Sequence, residues 1–68
     1  MDEDLIKKYF TYHAPTGDQP ERYVKVRAAA EMFAQVIVAC CPASADTTAA
    51  IRKVREAVMT ANAAIALE

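Results

Sequence analysis

The stretch "VIVACCPASADTTAAI", Val36–Ile51, decides the fold. Before it, Tyr23, Val26, Ala30, Phe33, Ile37 and Cys40 recur at steps of three and four, a heptad seam along one helix face. After it, Ile51, Val54, Val58, Ala61 and Ile65 recur in the same way. Pro42 stops the first helix, and Ser44, with Asp46 behind it, has the residue types that start the second. The linking "CPAS" is too short for anything but a reversal. Two heptad helices joined by it fold back antiparallel. Each is about 22 residues, or roughly 33 Å at 1.5 Å per residue.

Upstream, Asp2–Phe10 reads as a short helix. Asp2, Glu3 and Asp4 lie in its first turn and Lys7 and Lys8 in its last, which suits the helix dipole. Leu5, Ile6, Tyr9 and Phe10 form its apolar stripe. Asp18 followed by Glu21 has the capping-box pattern for the first long helix, with Pro20 tolerated in its first turn. The fold expected is all-α: a short N-terminal helix, then a long antiparallel hairpin, in one domain spanning residues 1–68.

A chain of 68 residues buries only ~60% of its unfolded surface and is marginal alone. Such scaffolds are held by disulfides, a metal or oligomerisation. Cys40 and Cys41 are adjacent, so a bond between them would close no useful loop. With no signal peptide and no apolar run of ~20 residues, the expectation is reduced thiols in a cytoplasmic protein. The single His13 has no partner ligands at metal spacing, and no cofactor is implied. Oligomerisation remains. Val24, Met32, Val36, Val38, Met59 and Leu67 lie outside the two seams and need a partner surface, most simply another copy. Ala28, Ala29, Ala49, Ala50, Ala63 and Ala64 allow close approach.

The net charge of −1 and a pI near 5.7 disfavour binding to DNA or RNA polymers, which takes a basic face. A small anion held by one or two local cations is compatible with them. Enzymatic readings lack a motif. There is no rigid carboxylate pair, no Ser/His/Asp set and no Gly-rich phosphate loop. Cys40 and His13 fall at opposite ends of a long helix.

The awkward residues gather between the short helix and the hairpin, in "TYHAPTGDQP", Thr11–Pro20. Tyr12 offers a face for stacking and a hydroxyl. Arg22, Lys25 and Arg27 follow on the next helix, and Arg27 can hold phosphate oxygens bidentately. A helix N-terminus adds partial positive charge. Aromatic, arginine and helix N-terminus together suit a nucleotide. Each residue also has a plainer reading. Tyr9, Phe10 and Tyr23 fit a core, His13 fits a loop carbonyl, and Arg22 and Lys25 fit solvated surface charges.

The run "YHAPTGDQPERYVKVR" (Tyr12–Arg27), the "CPAS" turn and the closing "EAVMTANAAIA" (Glu56–Ala66) resemble small phage helical-hairpin proteins. These are the anti-CBASS cyclic-nucleotide sponges, whose hairpin is shared with an anti-Thoeris sponge. The resemblance covers nearly the whole chain. It implies a homohexamer that binds cyclic dinucleotides such as 3',3'-cyclic GMP–AMP between protomers. Some members also hold cyclic trinucleotides. The second messenger is sequestered uncleaved in the infected bacterial host, and the CBASS effector stays off. By this resemblance Tyr12 is the stacking tyrosine and Arg27 the phosphate contact, with His13 and Lys25 beside them. Where trinucleotide-binding members place polar residues and a final Arg, this chain has His13, Ala29 and Leu67-Glu68, a terminal pair that vector sequence also supplies. The reading from residues alone keeps a second candidate: a structural or regulatory helical oligomer that binds a protein.

Overall fold

The computed structural model describes residues 1–68 and contains three helices and no strand: α1 (Glu3–Tyr9), α2 (Gln19–Cys40) and α3 (Ala45–Ala66). The antiparallel hairpin of α2 and α3 forms as the sequence dictates. Cys41 precedes Pro42, which pushes it out of the helical region. It lies at φ −113°, ψ 144°, and its N–H makes the last helical bond to the Ile37 carbonyl. Ser44 then caps α3, its Oγ accepting from the Thr47 N–H at 3.2 Å. The Thr47 hydroxyl donates to the Pro42 carbonyl at 2.6 Å and fastens the turn to the new helix.

The facing line of α3 follows the expected seam, with Ile51, Val54, Val58, Ala61 and Ile65 all half-buried. That of α2 departs from it. Tyr23, Val26, Ala30 and Ile37 are half-buried as expected, but Ala34 joins them in place of Phe33, which is 58% exposed, and Cys40 is exposed. A strict heptad drifts by ~20° every seven residues on an α-helix that does not supercoil. Over the length of α2 that drift moves the line from Phe33 to its neighbour, and the small Ala34 lets α3 come close.

Two other expectations change. Asp18 makes no side-chain cap to α2; its carboxylate faces Arg22 at 3.2 Å instead. Tyr9 and Phe10 are not core in this chain, being 50% and 86% exposed. No residue of α1 comes within 8 Å, Cα to Cα, of α2 or α3. The arm is held by its own hydrogen bonds, including Asp2 Oδ1 capping the Asp4 N–H at 2.8 Å.

The molecule measures 45 × 29 × 12 Å, and 12 Å is the diameter of a single helix with its side chains. Its radius of gyration of 15.2 Å compares with about 11 Å for a compact domain of this length. The accessible surface is 5504 Å² on 7.4 kDa, against about 4,200 Å² for a folded monomer of that mass. No hydrophobic residue is fully buried.

The one fully buried residue is polar. Gln19, 7% exposed, donates from Nε2 to the Ile65 carbonyl at 2.9 Å and to Glu68 Oε1 at 3.2 Å. Its Oε1 accepts from the Thr16 N–H at 2.9 Å. One amide thus ties the start of α2, the end of α3 and the preceding loop. Gln19→Ala should lower stability by about 1–3 kcal/mol, the cost of leaving buried polar partners unpaired. Thermal denaturation followed by circular dichroism measures it.

Candidate functional site

The loop between α1 and α2 is shaped at both ends by hydrogen bonds. At the α1 end, Thr11 Oγ1 donates to the Lys7 carbonyl. His13 Nε2 lies 2.9 Å from the Lys8 carbonyl. A carbonyl can only accept, so Nε2 donates there. His13 thus caps the last turn of α1. Between these two anchors Tyr12 is thrown outward, 84% exposed.

At the α2 end the chain reverses through Thr16–Gln19, closed by Gln19 N–H to the Thr16 carbonyl at 3.0 Å. Gly17 has φ +56° and Asp18 φ −88°, the φ pair of a type II′ turn, which needs glycine at its first central position. The Gln19 amide then fixes this turn over the end of α3. Tyr12 is thus a free aromatic on a loop whose two ends are held.

The cations divide sharply. Arg22 is committed: it pairs with Glu68 through both terminal nitrogens and approaches Asp18 through Nε. The Nε lies within ion-pair distance of Asp18, but its N–H is not aimed at an acceptor. Arg22 is a structural clasp between the two helices. Lys25 and Arg27 are exposed and meet no carboxylate.

Arg27 does not sit at the helix mouth. It lies about 12 Å along the axis from Gln19 at 1.5 Å per residue, where it lines an open groove between α2 and α3. That groove, of about 360 Å³, is walled by Ala30, Ala34, Ile51, Val54 and Met59 and carries Arg27, Glu31 and Arg55. Arg55 was not singled out from the sequence. Nothing in the spacing of α3 distinguishes it from Arg52 or Lys53; only the hairpin register brings it beside Arg27. The opposite side of the hairpin differs in kind. Its hollow of about 570 Å³ is lined by Val26, Ala29, Phe33, Ile37, Ala57 and neighbours, with Lys53 as its one charged residue. One side is thus suited to burial and the other to an anion.

Cys40 and Cys41 are exposed free thiols at the turn, at the other end of α2 from His13. No cluster of His, Cys, Asp or Glu has the makings of a metal site. No helix is long and apolar enough to cross a membrane.

The family model described as "Acb2/Tad1, hairpin domain" matches residues 1–66. The chain therefore belongs to the Acb2/Tad1 hairpin family, the sponge hairpin shared by anti-CBASS and anti-Thoeris proteins. Neither the curated proteins nor the solved structures include a match.

The loop geometry carries a test of its own. A Cβ on Gly17 would meet nothing within 4 Å, so substitution is opposed by backbone conformation alone. Gly17→Ala should cost about 1–3 kcal/mol, the strain of a residue with a Cβ held in a sparsely populated backbone region. Chemical denaturation of the variant beside the parent protein reads the difference.

Proposed function

We propose that this protein is a phage anti-defence sponge. It binds and sequesters cyclic oligonucleotide second messengers, cyclic dinucleotides of the 3',3'-cyclic GMP–AMP class first, without cleaving them. Membership of the Acb2/Tad1 hairpin family supports the sponge class. The observation that carries the residue assignment is the pairing of an outward-facing Tyr12 on a braced loop with an unpaired Arg27. Tyr12 supplies the stacking face for a base, and Arg27 the bidentate contact to a phosphate. Lys25 adds a solvated cation nearby, and the other ring nitrogen of His13 is left for a sugar or base.

A site of this kind is assembled between copies. The groove at Arg27 is shallow and open, whereas ligand sites of this size class enclose most of the ligand. The apolar side of the slab supplies the surface on which copies associate, and a homohexamer is the assembly the family resemblance implies. Sequestration without turnover needs tight binding, roughly nanomolar or about −12 kcal/mol. The effector of the defence system is then deprived of its activator. The chain offers no group arranged to attack a phosphodiester, so the ligand leaves as it entered. Cyclic trinucleotides are a weaker match, since His13, Ala29 and Leu67-Glu68 stand where binding members carry polar groups and an arginine.

Calorimetric titration with a panel of cyclic di- and trinucleotides, followed by heat release and chromatography of the ligand, tests the function directly. Tight binding of a cyclic dinucleotide and its recovery intact are expected; linear product would replace a sponge with an enzyme. The same titration tests the residues. Tyr12→Ala should lose about 1–3 kcal/mol for each stacked base. Arg27→Ala should lose about 2–5 kcal/mol, because a charged partner is left unpaired. Helix content should survive both changes, since neither side chain is buried. Unchanged affinity in both variants would place the pocket elsewhere.

A further inference from the structure

Arg27 shares its groove with a second guanidinium that the family reading does not use. The Gln19–Ile65 bond sets the register between the helices. It puts Arg27 opposite the turn of α3 that carries Ala57 and Val58, with Arg55 about half a turn away. At interaxial distances of 8–10 Å, the two arginine stems start roughly 10 Å apart. Both side chains line the same groove, over a floor of Ala30, Ala34 and Val54.

Neither arginine is neutralised. The ion pairs of the chain all belong to Arg22. Glu31 lines the groove too and stands four residues after Arg27, one turn away, where pairing is sterically open. That order, cation before anion along the helix, is the less favourable one for the helix dipole, and no bond forms. Two like charges over an apolar floor raise the local potential and favour an anion that can meet both. A ligand with a single phosphate satisfies one fork. A ligand with two phosphates held apart by a ring satisfies both.

We propose that Arg55 is a second phosphate-binding residue, acting with Arg27 in the α2–α3 groove, and that together they select ligands carrying two separated phosphodiesters. Glu31 is the counterweight: it holds the groove's net charge to one and discourages bulk anions. This inference rests on the assignment of Arg27 as a phosphate contact and adds the residue that reads the second phosphate.

The test titrates 3',3'-cyclic GMP–AMP and the linear dinucleotide GpA, which has one phosphodiester, into the full-length protein and four variants. Arg55→Gln should weaken cyclic GMP–AMP binding by about tenfold or more, as loss of a charge-assisted contact does, and leave GpA binding within about twofold. Arg55→Lys should fall between, keeping the charge but not the fork. Glu31→Gln should tighten binding of the cyclic ligand by removing a competing carboxylate. An Arg55→Gln protein of native assembly that binds cyclic GMP–AMP as the parent does overturns the proposal. If Arg27→Ala still weakens binding in that experiment, the sponge reading stands and only the second contact is lost. If Arg55→Gln disturbs assembly, Glu31→Gln decides instead: equal or weaker binding of the cyclic ligand overturns the proposal, and tighter binding supports it.

Discussion

A slab one helix thick cannot enclose anything. Two antiparallel helices bury one stripe each, and the third helix of this chain stands apart from both. Every apolar side chain therefore keeps part of its surface in water. The accessible surface exceeds that of a folded monomer of this mass by roughly 1,300 Å². Its apolar part stabilises, at about 25 cal/mol per Å², only where another surface covers it. On the proposed oligomeric reading, the hairpin is one layer of a structure whose interior lies between layers. A flat side carrying arginines and an aromatic on a separate loop would then become a pocket where a second layer closes over them.

What the chain settles within itself is register and direction. Gln19 is the one place where the loop, the start of α2 and the end of α3 meet, and it joins them through a single side-chain amide. The Arg22–Glu68 pair repeats the link on the exposed side, where an ion pair contributes little to stability but favours one alignment of the helices. These polar bonds decide where Tyr12 is projected and which residues of α3 stand beside Arg27. Apolar contacts that slide easily along a helix would not fix either. At the other end, the Ser44 and Thr47 hydroxyls do the same for the turn.

The hairpin was legible in the sequence because its signals are local. Pro42 ends α2 whatever surrounds it, and Ser44 caps α3 with its own next turn. The seam on α3 was legible because five apolar residues agree on it. The seam on α2 was misjudged at Phe33 because a seven-residue repeat drifts around an ideal α-helix, and Ala34 takes the place on the facing line. Gln19 and Arg55 were missed for a different reason. Glutamine and arginine are ordinary on a helix surface, and their partners lie on the other long helix, so no window of sequence contains the pairing. Arg22 looked like the solvated charge it would be without Glu68. The loop was singled out as a candidate ligand site from its tyrosine, proline and glycine content, while the division between a committed Arg22 and unpaired Lys25 and Arg27 needed the fold.

The central claim is that this chain completes its core and its site only by assembling. Thermal unfolding followed by circular dichroism over a wide range of protein concentration, with light scattering at each, tests it most directly. The account predicts a mass several times 7.4 kDa and a midpoint that climbs with concentration, because association stabilises only the folded chain. A monomer of 7.4 kDa with full helix content and a midpoint independent of concentration would contradict it.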